Sequence, residues 1–336
     1  MRVMGATQRT PEVLYTPTPD GWQLALHLWR GTGQKRPHPV LMVHGLAANR
    51  KNLDLDERLS IARAAQSHGY DVYLLDLRGA GLSRPPGGKA RNTFQWGFGD
   101  YAIYDIPAAV DFVLNHSAAD SLHGFGHSMG GMLLYAFAVS QPRELRSIVS
   151  VGSPFVAEIR LAPRERRLLN MITRFNPNRQ GRIPIRKIFS AGGRFIGFTG
   201  RLVDGSLLNA SNIDQALMGR LARESIDDVP QQLLKEFAVS IGRSEIADGP
   251  FSYESELGRI AVPVFSLGGA VDRVAPPAAV RAAVRRIRSP DVRYREMGRR
   301  FGDRADYGHI DLLVGHHAPT EIYAPIIDFW DELEAA

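Results

Sequence analysis

The clearest pattern along the chain is an alternation of short, continuous apolar runs with longer stretches of helical length. Val40-Leu41-Met42-Val43, Val72-Tyr73-Leu74-Leu75, Leu122 to Phe125, Ile148-Val149-Ser150-Val151 and Val262 to Leu267 each give way to Gly, Asp or Ser. Runs of this kind, without regular polar alternation, predict strands buried on both faces. A further strand is predicted at Val292 to Met297, and the stretches at about 52–68, 101–115, 129–141 and 277–288 predict helices. Strand, helix, strand in repetition implies an α/β fold with a doubly wound, mostly parallel sheet and right-handed crossovers. Ligands of such sheets sit beyond the carboxyl ends of the strands, so the residues that follow each run are the candidates for chemistry.

The rhythm stops after Ser153-Pro154 and resumes near Ile260. Between them Leu168, Met171, Ile172 and Phe175 recur as one face of a helix requires. Asp228-Val229-Pro230 followed by Leu233, Leu234 and Phe237 predicts a capped helix start with an apolar stripe. The expected organisation is a core in two parts, 1–154 and 259–336, with a helical cap or lid inserted at 155–258 over the strand ends.

Composition narrows the class. With 44% hydrophobic and 23% charged residues the chain is not disordered. Its longest apolar run, Met132 to Val139, is far too short to span a bilayer. The N-terminal residues carry no apolar core followed by a small-residue cleavage site, so a cytoplasmic location is expected. The absence of cysteine excludes disulfides, thiol nucleophiles and thiolate metal sites. The net charge of +6 is unevenly spread, with eleven Lys/Arg against two acids in 155–203. Such a patch suits an anionic lipid surface, an acidic ligand or plain solvent. No nucleic-acid module or stacking-aromatic spacing accompanies it, so nucleic acid is not an expected partner.

Gly126-His127-Ser128-Met129-Gly130 follows a predicted strand and opens a predicted helix, as a nucleophile elbow does. Glycines two places either side of the serine let the turn be tight enough for the hydroxyl to project. A serine hydroxyl needs a base, and the base needs an acceptor that fixes its tautomer. Asp272 lies in the loop after the Val262 to Leu267 strand, and His309 follows the Val292 to Met297 strand, in the order serine, acid, histidine. Asp303 and Asp306 are alternative acids close to His309 in sequence. The expected oxyanion donors are the backbone N–H groups of Met129 and of Leu46, in the His44-Gly45-Leu46 loop after the first core strand. His44 is expected to fix that loop rather than act as a base.

Other chemistries fit less well. Gly124-Phe125-Gly126-His127-Ser128-Met129-Gly130 resembles a dinucleotide loop but follows the third predicted strand rather than the first. In Gly87-Gly88-Lys89-Ala90 the residue after Lys lacks the hydroxyl a phosphate loop needs. His309 and the pair His316-His317 form no His-Glu-x-x-His pattern. No cofactor and no metal are expected.

His44-Gly45, the stretch Asp76 to Ser83, the Ser128 elbow, Asp272 and His309 together resemble the α/β-hydrolases of the ester-cleaving kind. Trp96-Gly97-Phe98-Gly99-Asp100-Tyr101 and Tyr307-Gly308-His309-Ile310-Asp311-Leu312 are most similar to the acid-lipase group, whereas Met129-Gly130-Gly131 is more similar to monoacylglycerol lipases and general esterases. The resemblance implies an esterase or lipase acting on a small hydrophobic ester through an acyl-enzyme. Thioester or amide hydrolysis on the same triad, or a silent small-ligand binder, are the alternatives. Arg186-Lys187-Ile188-Phe189 and Arg194-Phe195-Ile196-Gly197-Phe198 alternate charge with bulk, which suits either transient contact with an anionic lipid surface or packing of the cap onto the core.

Overall fold

The computed structural model describes residues 10–88, 94–140, 144–174, 181–187, 207–241, 249 and 251–335. In chain order the strands are β1 (Glu12–Pro17), β2 (Gln23–Trp29), β3 (Val40–Val43), β4 (Val72–Asp76), β5 (Leu122–His127), β6 (Leu145–Val151), β7 (Arg182–Ile183), β8 (Val229–Pro230), β9 (Val264–Gly269) and β10 (Val292–Met297). Eight of them form one sheet in the order β1-β2-β4-β3-β5-β6-β9-β10. From β4 to β10 every pairing is parallel, and β1 and β2 add an antiparallel edge. The apolar runs read as strands all lie in this sheet.

Alternate residues of each central strand feed the two faces, because successive side chains point to opposite sides. Leu41, Val43, Tyr73 and Leu75 join a core with helices Ile106–Ser117, Met129–Ser140 and Pro277–Val284. Val40, Met42, Val72 and Leu74 join another with helices Ile61–Ser67 and Ala324–Ala335. Helix Met129–Ser140 is buried from Met129 to Val139, so its all-round apolar surface has protein on every side.

Three local expectations change. The β1–β2 hairpin was not read from the sequence: β2 carries His27 in mid-strand, which interrupts its apolar run and is accommodated by Asp76 at 2.9 Å. The helix expected at 52–68 spans only Ile61–Ser67. Asp54 bridges to Ser60, and the Ser60 hydroxyl caps the helix by accepting the Arg63 N–H at 3.0 Å. The helix expected at 277–288 ends at Val284.

The described residues of 155–258 contribute no strand to the large sheet; they hold helices Pro163–Arg174, Gln215–Glu224 and Gln231–Ser240 and the β7–β8 ribbon. Met171, placed on an apolar stripe by its spacing, is 62% exposed, and Phe175 lies outside the described residues. Ile188-Phe189 and Arg194 to Phe198 also lie outside them. Among the described residues no helix is long and apolar enough to cross a membrane.

Candidate active site

β5 runs directly into Ser128, and helix Met129–Ser140 starts at the next residue. Ser128 adopts φ 54°, a left-handed conformation that costs a non-glycine residue about 1–3 kcal/mol. The surrounding backbone imposes it: Ser128 N–H donates to the Val151 carbonyl at 2.8 Å, while Gly131 N–H donates to the Ser128 carbonyl at 3.1 Å. A Cβ on Gly126 would stand 2.2 Å from Gly131 N, and one on Gly130 2.2 Å from the Val43 carbonyl oxygen. Both glycines are therefore required by close approach of backbone to backbone.

Asp272 follows the end of β9, and His309 follows β10. The His309 Nδ1–H donates to Asp272 Oδ2 at 2.7 Å, in a pair almost fully buried. The other Asp272 oxygen accepts the Val274 and Ala275 N–H groups, each at 2.8 Å. Gly152 sits between this pair and the elbow: a Cβ there would lie 3.2 Å from His309 Cε1 and 3.6 Å from Asp272 Oδ2, and Gly152 directly follows the Val151 that holds Ser128. Among the described residues the Ser128 hydroxyl makes no hydrogen bond. Nucleophile–base contacts commonly tighten only when substrate is bound. The two alternative acids are engaged elsewhere, Asp303 with Arg295 and the Gly298 N–H, Asp306 with the Arg299 N–H.

The other elbow residue, His127, is buried and donates from Nε2 to the His309 carbonyl at 3.1 Å. Burial, reinforced by the neighbouring His309, holds its pKa well below the ordinary histidine value. His44 is likewise held low by burial; its Nδ1–H donates to the Gly45 carbonyl at 2.8 Å and its Nε2 accepts the Leu77 N–H at 3.2 Å. Neutral and doubly committed, it ties the β3 loop to the β4 loop.

Leu46 and Met129 line one small cavity, shared with Gly45 and Tyr101. Among the described residues neither the Leu46 nor the Met129 backbone N–H has a hydrogen-bond acceptor. Two unpaired donors at one cavity can stabilise a developing negative charge there.

Two acids that sequence patterning did not single out hold these loops. Asp227 Oδ2 accepts from Asn49 Nδ2 and from the Gly81 N–H, both at 2.9 Å, while the Asp227 N–H donates to the Ala47 carbonyl at 3.0 Å. Asp311 accepts the Gly308 N–H with both oxygens, the Asn209 N–H at 3.0 Å and Asn212 Nδ2 at 2.9 Å. The Leu207 carbonyl accepts the His309 and Ile310 N–H groups. Residues from 155–258 thus grip both the Leu46 loop and the His309 loop. The only sequence trace of Asp227 was its place before a helix start.

The sequence model of the alpha/beta hydrolase fold family matches residues 38–315. Lipase member K of Homo sapiens is 25% identical over 94% of this chain and 86% of its own length. Lipase 1 of Drosophila melanogaster is 30% identical over 146 residues, 42% of this chain but only 32% of that protein, so the chain spans about a third of the first curated relatives it matches. Two solved structures, an esterase from Thermogutta terrifontis and a monoacylglycerol lipase from Paleococcus ferrophilus, each superpose with a TM-score of 0.60. Their identities are 19% and 16%; the matches cover 96% and 93% of this chain and 99% and 98% of those. At that identity they speak for the fold alone.

Proposed function

The chain belongs to the alpha/beta hydrolase fold family, and from that premise we propose that it is a carboxylic ester hydrolase of the esterase/lipase kind working through Ser128, His309 and Asp272. Ser128 Oγ attacks the ester carbonyl while His309 Nε2 takes its proton, and the same nitrogen then protonates the departing alcohol. Asp272 fixes the tautomer of His309 and offsets the charge of its imidazolium. The Leu46 and Met129 N–H groups hold the oxyanion in each tetrahedral state. Water activated by His309 then releases the acid and restores Ser128.

Support rests on one observation above the rest: a buried 2.7 Å hydrogen bond from His309 to an aspartate, in a chain whose strand-to-helix turn holds a serine at φ 54°. The relatives named as lipases favour ester over amide substrates for this chain. Transient contact with an anionic lipid surface belongs to the same proposal, supported by the exposed apolar Met171 and Val239 and the exposed basic Arg166 and Arg167 on helices of the 155–258 segment. Vesicles lacking anionic lipid and vesicles containing it should then differ in their effect on turnover.

The test is hydrolysis of p-nitrophenyl esters of increasing acyl length by the native chain and by Ser128→Ala. Turnover that vanishes in a folded Ser128→Ala variant is expected, and the chain-length optimum then separates a lipase from a short-chain esterase. Undiminished turnover in that variant would overturn the assignment of the nucleophile.

A further inference from the structure

At the opposite end of the sheet, where β3 and β5 begin, His38, His123 and Glu334 converge although they are far apart in sequence. His38 precedes β3, His123 is the second residue of β5, and Glu334 is in the last turn of helix Ala324–Ala335. His38 Nδ1 lies 2.8 Å and His123 Nε2 2.7 Å from the same oxygen, Glu334 Oε1. The other oxygen, Glu334 Oε2, is buried and has no partner among the described residues. An unpaired carboxylate oxygen away from water is costly. Neighbouring Arg146 does not relieve it: its Nη2 donates to the Leu333 carbonyl at 2.5 Å, and its Nε is itself buried with no partner among the described residues.

We propose that His38, His123 and Glu334 form a binding site for a zinc-class divalent cation that clamps the C-terminal helix to the sheet. The three donor atoms lie within 4.8 Å of one another. Tetrahedral zinc with bonds near 2.0–2.1 Å needs roughly 3.3 Å between ligands, so the two His–Glu contacts open while the imidazoles draw together. Imidazole and carboxylate are the ligand types that suit zinc among the common ions. The surroundings supply what metal-bound histidines require, a partner for the other ring nitrogen. His123 Nδ1 is 2.8 Å from Ser147 Oγ, and His38 Nε2 is 3.5 Å from an Asp120 carboxylate oxygen. On metal binding each ring carries its proton on that outer nitrogen and turns its lone pair to the ion, so no oxidant or proton source is needed. Tyr70 and Trp330 pack beside the His123 ring and keep the site apolar around its polar centre. Water completes the coordination on the side of the half-buried His38. The cysteine-free sequence concealed the site, because its ligands follow no local spacing.

The test uses the whole chain stripped by chelator, with zinc ion and cobalt ion as probes. Zinc at a hundredfold excess over its dissociation constant should raise Tm by about 4 °C, and cobalt should give the intense visible absorption of a tetrahedral site. Both effects should vanish in His38→Ala and in Glu334→Gln and persist in His317→Ala, which removes a histidine that is not part of the cluster. Absence of the cobalt band in the native chain, or stabilisation that survives His38→Ala and Glu334→Gln, would overturn the proposal. The cobalt spectrum of the native chain decides the matter even if a variant fails to fold.

Discussion

Replacing Asp272 by Asn keeps the size of the side chain and changes only which atoms can donate. In the native protein one carboxylate oxygen accepts the Val274 and Ala275 N–H groups at 2.8 Å, and the other accepts His309 Nδ1–H at 2.7 Å. The asparagine must choose. With its carbonyl toward the two backbone donors it keeps both bonds and turns its NH₂ toward His309. With the opposite orientation the NH₂ faces two N–H groups and both bonds are lost, at about 1 kcal/mol each or more where the donors stay buried. The first orientation therefore dominates, and it forces His309 to accept at Nδ1 and to carry its proton on Nε2. That tautomer cannot take a proton from Ser128, and the imidazolium also loses its buried counter-charge. A loss in kcat of about 10⁴-fold is expected, equivalent to roughly 5 kcal/mol of transition-state stabilisation. KM and Tm should move little, because the turn and the packing are retained. Steady-state hydrolysis of a p-nitrophenyl ester, with a thermal melt as control, measures all three. An Asp272→Asn variant that keeps more than a tenth of native kcat would refute the tautomer argument and return attention to Asp303 and Asp306.

Two further outcomes follow from buried charges away from Ser128. Glu254 is 1% exposed, accepts the Val156 N–H with Oε1 and leaves Oε2 without a partner among the described residues, and burial pushes its pKa up to about 8. A carboxyl raised in the folded state stabilises it fully below its ordinary value of 4.5 and loses that advantage as pH rises toward 8. By pH 8 the loss reaches roughly 4 kcal/mol; Glu254→Gln should flatten the Tm–pH curve between those limits, and parallel curves for the two proteins would refute this. Arg78, 3% exposed, donates to Asp105 from its backbone N–H at 2.8 Å and from Nε at 2.7 Å, and to Asp20 from Nη1 at 2.7 Å. Arg78→Ala leaves Asp105 buried without its counter-charge and with only the residue-78 backbone N–H as partner among the described residues, so chemical denaturation should report a loss of about 3–5 kcal/mol, much of it recovered when Asp105 is also made apolar.

Legibility in the sequence followed physical range. β3, β4, β5, β6 and β9 were readable because burial on both faces leaves a local signature, an apolar run ending in a turn residue; β10, half-buried at the sheet edge, shows that signature only weakly. The elbow was readable for the same reason: Gly126 and Gly130 answer contacts with backbone only a few residues away or on the adjoining strand. β2 was hidden because His27 is tolerated only through Asp76, 49 positions away. Asp227 and Glu334 were hidden likewise, since each does its work on residues that only the folded chain brings near; Asp311 stood in a readable motif, but its bonds to Asn209 and Asn212 are tertiary. Asp272 could be preferred over Asp303 and Asp306 from its place after a strand, but what occupies those two acids, Arg295 and the Arg299 N–H, is a tertiary fact.

The grip of the 155–258 segment on the reactive loops limits how substrate can be admitted. Ala48 and Ile226 form an antiparallel bridge, flanked by the bonds Asn49 N–H to Ser225 carbonyl at 3.1 Å and Asp227 N–H to Ala47 carbonyl at 3.0 Å. Lifting this strip would release the loop that carries the Leu46 N–H, and lifting residues 207–212 would release His309. Any opening toward a lipid surface must therefore leave both strips in place and act through other parts of the segment, such as helices Pro163–Arg174 and Gln231–Ser240. The flanking bonds make Ala48 and Ile226 a non-hydrogen-bonded pair, with Cα atoms near 4.5 Å, within the range a disulfide tolerates. The chain has no cysteine to interfere. An Ala48→Cys/Ile226→Cys variant should, when oxidised, turn over dispersed and aggregated esters as fast as when reduced. Activity lost on oxidation and regained with reductant would show instead that the strip must part from the loop in each catalytic cycle.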